Sequence, residues 1–149
     1  AERWRRDMRP LRPTARWERQ RRRATDYLHI TIAVSKILEY KRFCDRVAAD
    51  NEVEIHETAI WTHPELFSVL VHAPDTSRLG RDGSPLWIAV DAMLEKAIEL
   101  GGGIEYCHGM GTKLDECAER EWGQALPLAR LAKGAGDPKG ILNPGKLGL

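Results

Sequence analysis

The chain lacks the short motifs that would fix a chemistry at sight. Among its five histidines and three cysteines there is no HExxH and no CxxC pair, so neither a zinc-hydrolase centre nor a zinc ribbon is encoded. GxGxxG is absent, as are GxxxxGKS and GxxxxGKT, which removes the dinucleotide fingerprint and the P-loop. The lack of a GxSxG elbow disfavours an ordinary serine hydrolase. Cys44, Cys107 and Cys117 are odd in number and widely spaced. They do not form a secreted disulfide framework, and free thiols suit a cytoplasmic protein. No apolar run approaches the ~18 residues of a membrane span, and the first residues have no signal-peptide core. Internal repeats are missing too.

Charge is balanced in total and segregated along the chain. The 149 residues carry 23 basic and 22 acidic side chains. Residues 1–26 hold ten arginines against four carboxylates, and the remainder has 13 basic and 18 acidic residues. The basic arm over 1–27 is open to three readings. It binds phosphates of nucleic acid or acidic membrane, it is a packed or solvated helix carrying Trp4 and Trp17, or its arginines cover an acidic partner surface. Pro10 and Pro13 break any single helix through it.

From Leu28 the pattern becomes regular. Residues 28–34 read as a strand with Ile30, Ile32 and Val34 on one face. A helix over 36–49 follows, with Ile37, Tyr40, Cys44 and Val47 as its apolar stripe. Residues 53–61 and 66–72 read as a β-hairpin interrupted at His63-Pro64. Residues 73–84 form a loop, and a helix over 85–100 buries Trp87, Val90, Met93, Leu94, Ala97 and Ile98. Strand, helix, strand, strand, helix is the order of an α+β sandwich with helices on one face of an antiparallel sheet. At Gly101 the texture changes to a glycine-rich stretch with a short strand, then a mostly helical segment over 115–133 that Pro127 bends. Residues 137–147 are a specified loop.

Chemistry concentrates after Gly101. His108 sits between Cys107 and Gly109, with Gly111 beyond; an imidazole takes or gives a proton around neutral pH, and it also serves as a structural hydrogen-bonding group. Gly109 and Gly111 leave the backbone bare for a planar ring. Tyr106 lines the same stretch as a cleft residue or a packed ring, and Cys107 as a lining thiol or a nucleophile. Lys113 reads as a partner for a carboxylate or phosphate, or as a solvated residue. Asn143 offers an amide that donates and accepts together, or simply forms the turn before Pro144. His63 is a candidate for a cleft beside Trp61, and the other histidines default to surface or core.

The stretch GGGIEYCHGMGTKL, 101–114, and the segment DPKGILNPGKL, 137–147, resemble two motifs of the FAD-linked oxidase superfamily with the vanillyl-alcohol oxidase fold. The closer likeness is to its D-lactate dehydrogenase, glycolate oxidase and alkyl-dihydroxyacetonephosphate synthase branch. The resemblance implies a fold of class α+β, in which 28–100 is the second part of a ferredoxin-like cap domain and 101–149 is the segment returning to the FAD-binding domain. It implies FAD as cofactor, an upstream FAD-binding polypeptide or missing N-terminal portion as partner, an oligomer, and an alcohol or 2-hydroxy acid as substrate. His108 and Tyr106 then stand as catalytic residues and Gly109, Gly111 and Asn143 as cofactor-binding residues. The branch's Gly-Glu-His is Tyr106-Cys107-His108 here, so no metal ligand set carries over. Two alternatives stay open: a noncatalytic subunit stabilising a flavoprotein, and a flavin-dependent alkyl transferase.

Overall fold

The computed structural model describes residues 24–73, 84–111 and 113–149. The arginine-rich arm up to residue 23, with Trp4 and Trp17, and most of the loop expected over 73–84 lie outside the described residues. The chain runs β1 (Ala24–Thr31), α1 (Ile37–Asp50), β2 (Glu54–Ile60), β3 (Leu66–Ala73), α2 (Pro85–Glu99), β4 (Gly103–Ile104), α3 (Ala118–Trp122) and α4 (Ala125–Gly136). The strands form one antiparallel sheet in the order β2-β3-β1-β4. The α+β class and the hairpin read from the sequence are both present.

Alternation along the two central strands decides the architecture. Leu28 pairs with Val69 and Ile30 with Phe67, and all four are buried with Tyr40 and Cys44 of α1 and Val90, Met93 and Leu94 of α2. Helix α2 packs on β1 and β3, and α1 on β2 and α2. Tyr40 meets Phe67 edge to face, with ring centroids 6.0 Å apart. Each such buried aliphatic contributes ~1.5–3 kcal/mol, so this layer supplies the stability that the loops do not. Burial pushes the Cys44 thiol to about 12, which makes it a packing residue. The strand expected over 28–34 starts earlier and stops at Thr31. Val34 opens a 3-10 turn and is exposed rather than in the core.

The opposite phase of the same strands is polar. His29 faces Ser68 across the β1–β3 ladder and Thr25 faces His72. His29, Ser68 and His72 are buried although no apolar layer is read on that side. The glycine-rich stretch covers His29 through Tyr106 and His108, whereas Ser68 lies against Trp61 and His72 against Thr25 and His56. Helix α2 ends in a Schellman motif: Gly101 N–H donates to Ile98 O (2.9 Å) and Gly102 N–H to Ala97 O (2.8 Å), with Gly101 at φ +76° in the left-handed region that glycine adopts cheaply. The chain then turns into β4 and lies against β1.

Beyond β4 the helical segment differs from the expected bend at Pro127. It breaks at Gly123, φ +47°, between α3 and α4. Pro127 falls in the first turn of α4, where its missing N–H has no helical partner to lose.

The C-terminal loop is held by one carboxylate. Asp137 accepts from the Ile141 amide (3.0 Å), the Leu142 amide (2.9 Å) and Lys133 Nζ, and Lys133 also donates to Leu142 O. Lys133 and these amides hold the Asp137 carboxyl below its ordinary 3.8. A depressed carboxyl contributes stability above the unfolded value and loses it as pH falls through its lowered folded value. Asp137→Asn is therefore expected to melt below the wild type at pH 7, with the two melting curves converging as pH drops under 3.8. A gap that stays constant from pH 7 to pH 2 would show that the carboxylate charge contributes nothing.

Candidate functional site

The site begins where β4 leaves the sheet. The amide of Glu105 donates to His29 O (2.6 Å) and the amide of Tyr106 lies 3.4 Å from the same oxygen. Glu105 sits at φ +62°, an uncommon conformation for a side-chain-bearing residue that marks a held backbone. Its carboxylate is what holds it: Oε1 accepts from the amides of Cys107 (3.1 Å) and His108 (2.7 Å). The same carboxylate stands 3.7 Å from His29 Nδ1 through Oε2 and 3.4 Å from His108 Nδ1 through Oε1. One buried acid thus fixes the loop and orients two imidazoles.

The rings above the polar sheet face form a cluster. His29 lies 4.4 Å from Tyr27, 5.5 Å from Tyr106 and 4.8 Å from His108, centroid to centroid. Burial lowers the His29 imidazole from its ordinary 6.5, against the opposing pull of Glu105. Tyr106 is raised by burial, so it stands as a protonated phenol. Tyr106 Oη is buried without a hydrogen-bond partner, and His29 Nδ1 is faced by the Glu105 carboxylate at 3.7 Å. The His108 ring is open to the cleft, 67% exposed, with Nε2 3.7 Å from Cys107 Sγ.

Two compartments meet along the His29–His108 line. One, of about 370 Å³, is bounded by Glu105, Gly109, Gly111, Lys113 and Lys146. In it Lys113 pairs with Asp26 at 2.7 Å. The other, of about 450 Å³, is bounded by Tyr27, Trp61, Leu66, Tyr106 and Cys107. A third cleft of about 310 Å³ lies under the C-terminal loop and holds Asn143; Lys146 borders it and the first compartment alike. The fold therefore brings together His108, Tyr106, Gly109 and Gly111, and sets Asn143 one cleft away. The two sequence motifs touch directly, because Leu147 N–H donates to Gly111 O at 2.9 Å.

Sequence reasoning missed His29 and Glu105. The signal for His29 was present: Tyr27 and His29 are polar aromatics at i and i+2, on the phase opposite Leu28 and Ile30. Nothing local announced that Glu105 would turn left-handed and bond its own following amides. His63, the other histidine read as a cleft candidate, is exposed in the β2–β3 turn and does not border these three clefts. No metal ligands were named from the sequence. The fold nonetheless groups one atom each from His29, Glu105 and His108 within 4.8 Å of one another, a nitrogen and oxygen donor set suited to a borderline divalent cation.

The fit to a flavin rests on the backbone at Gly109–Gly111. Gly109 has φ +74° with no atom within 4 Å of its missing Cβ, and a Cβ on Gly111 would lie 3.8 Å from Lys146 Nζ. This bare, cation-flanked wall fits one edge of a planar ring system.

Among the described residues no helix is long and apolar enough to cross a membrane. Comparison with curated proteins gives no match. Residues 75–147 match the family model described as FAD linked oxidases, C-terminal domain. That span takes in both motifs, the Glu105–His108 turn and the Asp137 clasp, and in it the chain is similar to the C-terminal domain of the FAD linked oxidases, a flavin-dependent oxidoreductase family whose cofactor is FAD.

Proposed function

We propose that this chain forms part of the active site of an FAD-dependent oxidoreductase that oxidises an alcohol or 2-hydroxy acid, and that an upstream FAD-binding portion completes it. The observation that carries the reading is the Glu105-held turn. It sets His108 over a polar sheet face and beside bare backbone at Gly109 and Gly111. When bound, FAD supplies the acceptor for the two electrons lost by the carbinol carbon. The chain's residues manage the rest. Glu105 keeps His108 Nδ1 engaged, which leaves Nε2 to take the hydroxyl proton as the carbonyl forms. Tyr106 Oη and His29 stand ready to hold the substrate oxygen. Asn143 and Lys146 flank the cofactor side.

The need for an upstream portion is supported by apolar surface. Leu128, Leu131, Ile141 and Leu142 are between 58% and 71% exposed on α4 and the following loop, and side chains of this kind grouped together mark a contact surface.

A second reading is favoured by the His29–Glu105–His108 grouping: a divalent cation held there positions the substrate oxygen in place of a proton acceptor. Metal analysis of the purified protein separates the two, since stoichiometric metal supports the second and its absence the first.

The reading is tested on natively purified protein by intact mass and visible absorbance. A co-purifying or covalently continuous FAD-binding portion is expected, with a flavin band that bleaches anaerobically on adding alcohol or hydroxy acid. Flavin that no such compound bleaches would favour a noncatalytic, stabilising role. Protein that neither carries nor accepts FAD would overturn the reading.

A further inference from the structure

The two compartments on either side of His29 and His108 differ in chemistry, and the difference bears on what the site receives. The smaller contains Asp26, Glu105, Lys113 and Lys146. Among the described residues the larger has no lysine, arginine or carboxylate on its walls. Its bulk is carbon from Trp61, Tyr27, Leu66 and Tyr106.

The polar tips of those rings are mostly spent elsewhere. Trp61 Nε1 donates to Ser68 Oγ at 2.9 Å. Tyr27 Oη donates to Glu57 (3.2 Å) and accepts from Ser68 Oγ (3.4 Å). What Trp61 and Tyr27 offer to the cleft is therefore ring surface, and Trp61 keeps half of its area open. By contrast, the inner end is polar: Tyr106 Oη is buried without a hydrogen-bond partner, the His29 ring, a residue only 6% exposed, has Glu105 3.7 Å from its Nδ1, and the His108 ring is open. An apolar chamber that ends at a few polar groups is the usual form of a small-molecule site.

Resting on the oxidoreductase reading above, we infer that the substrate is an aryl-bearing alcohol or hydroxy acid, its ring between Trp61 and Leu66 and its hydroxyl at the His29–Tyr106–His108 end. Size agrees: a cavity of about 150 Å³ already holds benzene, and 450 Å³ admits a ring with its carbinol arm. Small hydroxy acids satisfy only the polar end and leave the chamber wet. Trp61 is thus a specificity-determining residue outside the proton-transfer machinery.

The probes are lactate and 3-phenyllactate, which share a head group and differ by the ring. Binding to the purified protein is read by calorimetry or saturation-transfer NMR, without turnover. Phenyllactate is expected to bind about tenfold more tightly or better, which corresponds to ~1.4 kcal/mol. Trp61→Ala should remove most of that preference while leaving lactate unchanged, and Trp61→Phe should restore it. Equal binding of the two acids to the wild type overturns the inference, as does a preference that survives Trp61→Ala. If Trp61→Ala fails to fold, by circular dichroism, the wild-type comparison and Trp61→Phe decide the matter. A clear ring preference with no flavin reduction by either acid would count against the oxidoreductase reading alone.

Discussion

His108→Asn is expected to lower turnover by about 10²- to 10⁴-fold, the range that a positioned proton acceptor supplies, while the flavin absorbance of the protein stays close to that of the wild type. Asparagine keeps a polar group at the position and leaves the main-chain bond from residue 108 to Glu105 Oε1, 2.7 Å, intact. The turn therefore persists, and only the proton acceptor is lost. Glu105→Gln makes the complementary case. It retains acceptor capacity for the Cys107 and His108 amides, yet removes the charge that faces both imidazoles. Its defect should be smaller than that of His108→Asn and should move the pH–rate profile. Stopped-flow reduction of the flavin by substrate is the measurement. Wild-type reduction rates in His108→Asn would remove the ring from the chemistry.

The second large effect is structural. Gly102→Ala places a methyl group 2.4 Å from Thr31 O and 2.9 Å from Ala97 O. Both neighbours are backbone, one in β1 and one in the last turn of α2, so neither can swing aside. Overpacking of this kind costs ~1–3 kcal/mol, and with two carbonyls as obstacles the value should sit at about 3 kcal/mol. Gly101→Ala is the control. There the added methyl meets no atom within 4 Å, and only the left-handed backbone is penalised, at ~1–2 kcal/mol. Urea midpoints for the two variants should separate accordingly. Gly102→Ala should also push β4 off β1 and weaken the Glu105–His29 main-chain bond, so that its residual folded fraction loses flavin reduction as well. Equal midpoints for the two variants would mean that the close approach of α2, β1 and β4 is not what the glycine serves.

These effects show which parts of the molecule could be read in advance. Period-two and period-3.6 patterning located β1, α1, the β2–β3 hairpin and α2, because each buries one face against the others and the pattern is the record of that burial. Tyr40 and Cys44 were placed in the core for the same reason, whereas Val47 gave way to Ala48 as the fourth fully buried residue. The glycine and terminal motifs were visible as spellings, and their contact through Leu147 and Gly111 follows from the fold. What patterning could not supply was any event set by a single residue against its local tendency. Glu105 takes a positive φ where its own carboxylate collects the amides of Cys107 and His108. Gly123 ends α3 where propensity alone would have run the helix on to meet Pro127. His29 was passed over because one imidazole in a strand is ordinarily a neighbour to nothing; its meaning appears only once residues 105–108 are folded across it.

That crossing has a consequence for how the protein can fail. His29 offers its carbonyl along the sheet edge to Glu105 and its ring to the cleft, so both depend on the pairing of β1 with β3. A slip of one residue in that pairing would turn every side chain of the strand over. Leu28 and Ile30 would face the cleft, while Tyr27 and His29 would be driven into the oily layer beneath the helices. Such a chain would still have its strands and helices, and spectroscopy of the backbone would barely notice. The alternation of Tyr27, Leu28, His29 and Ile30 thus acts as a proofreading device for assembly, in which correct catalysis and correct burial are the same test.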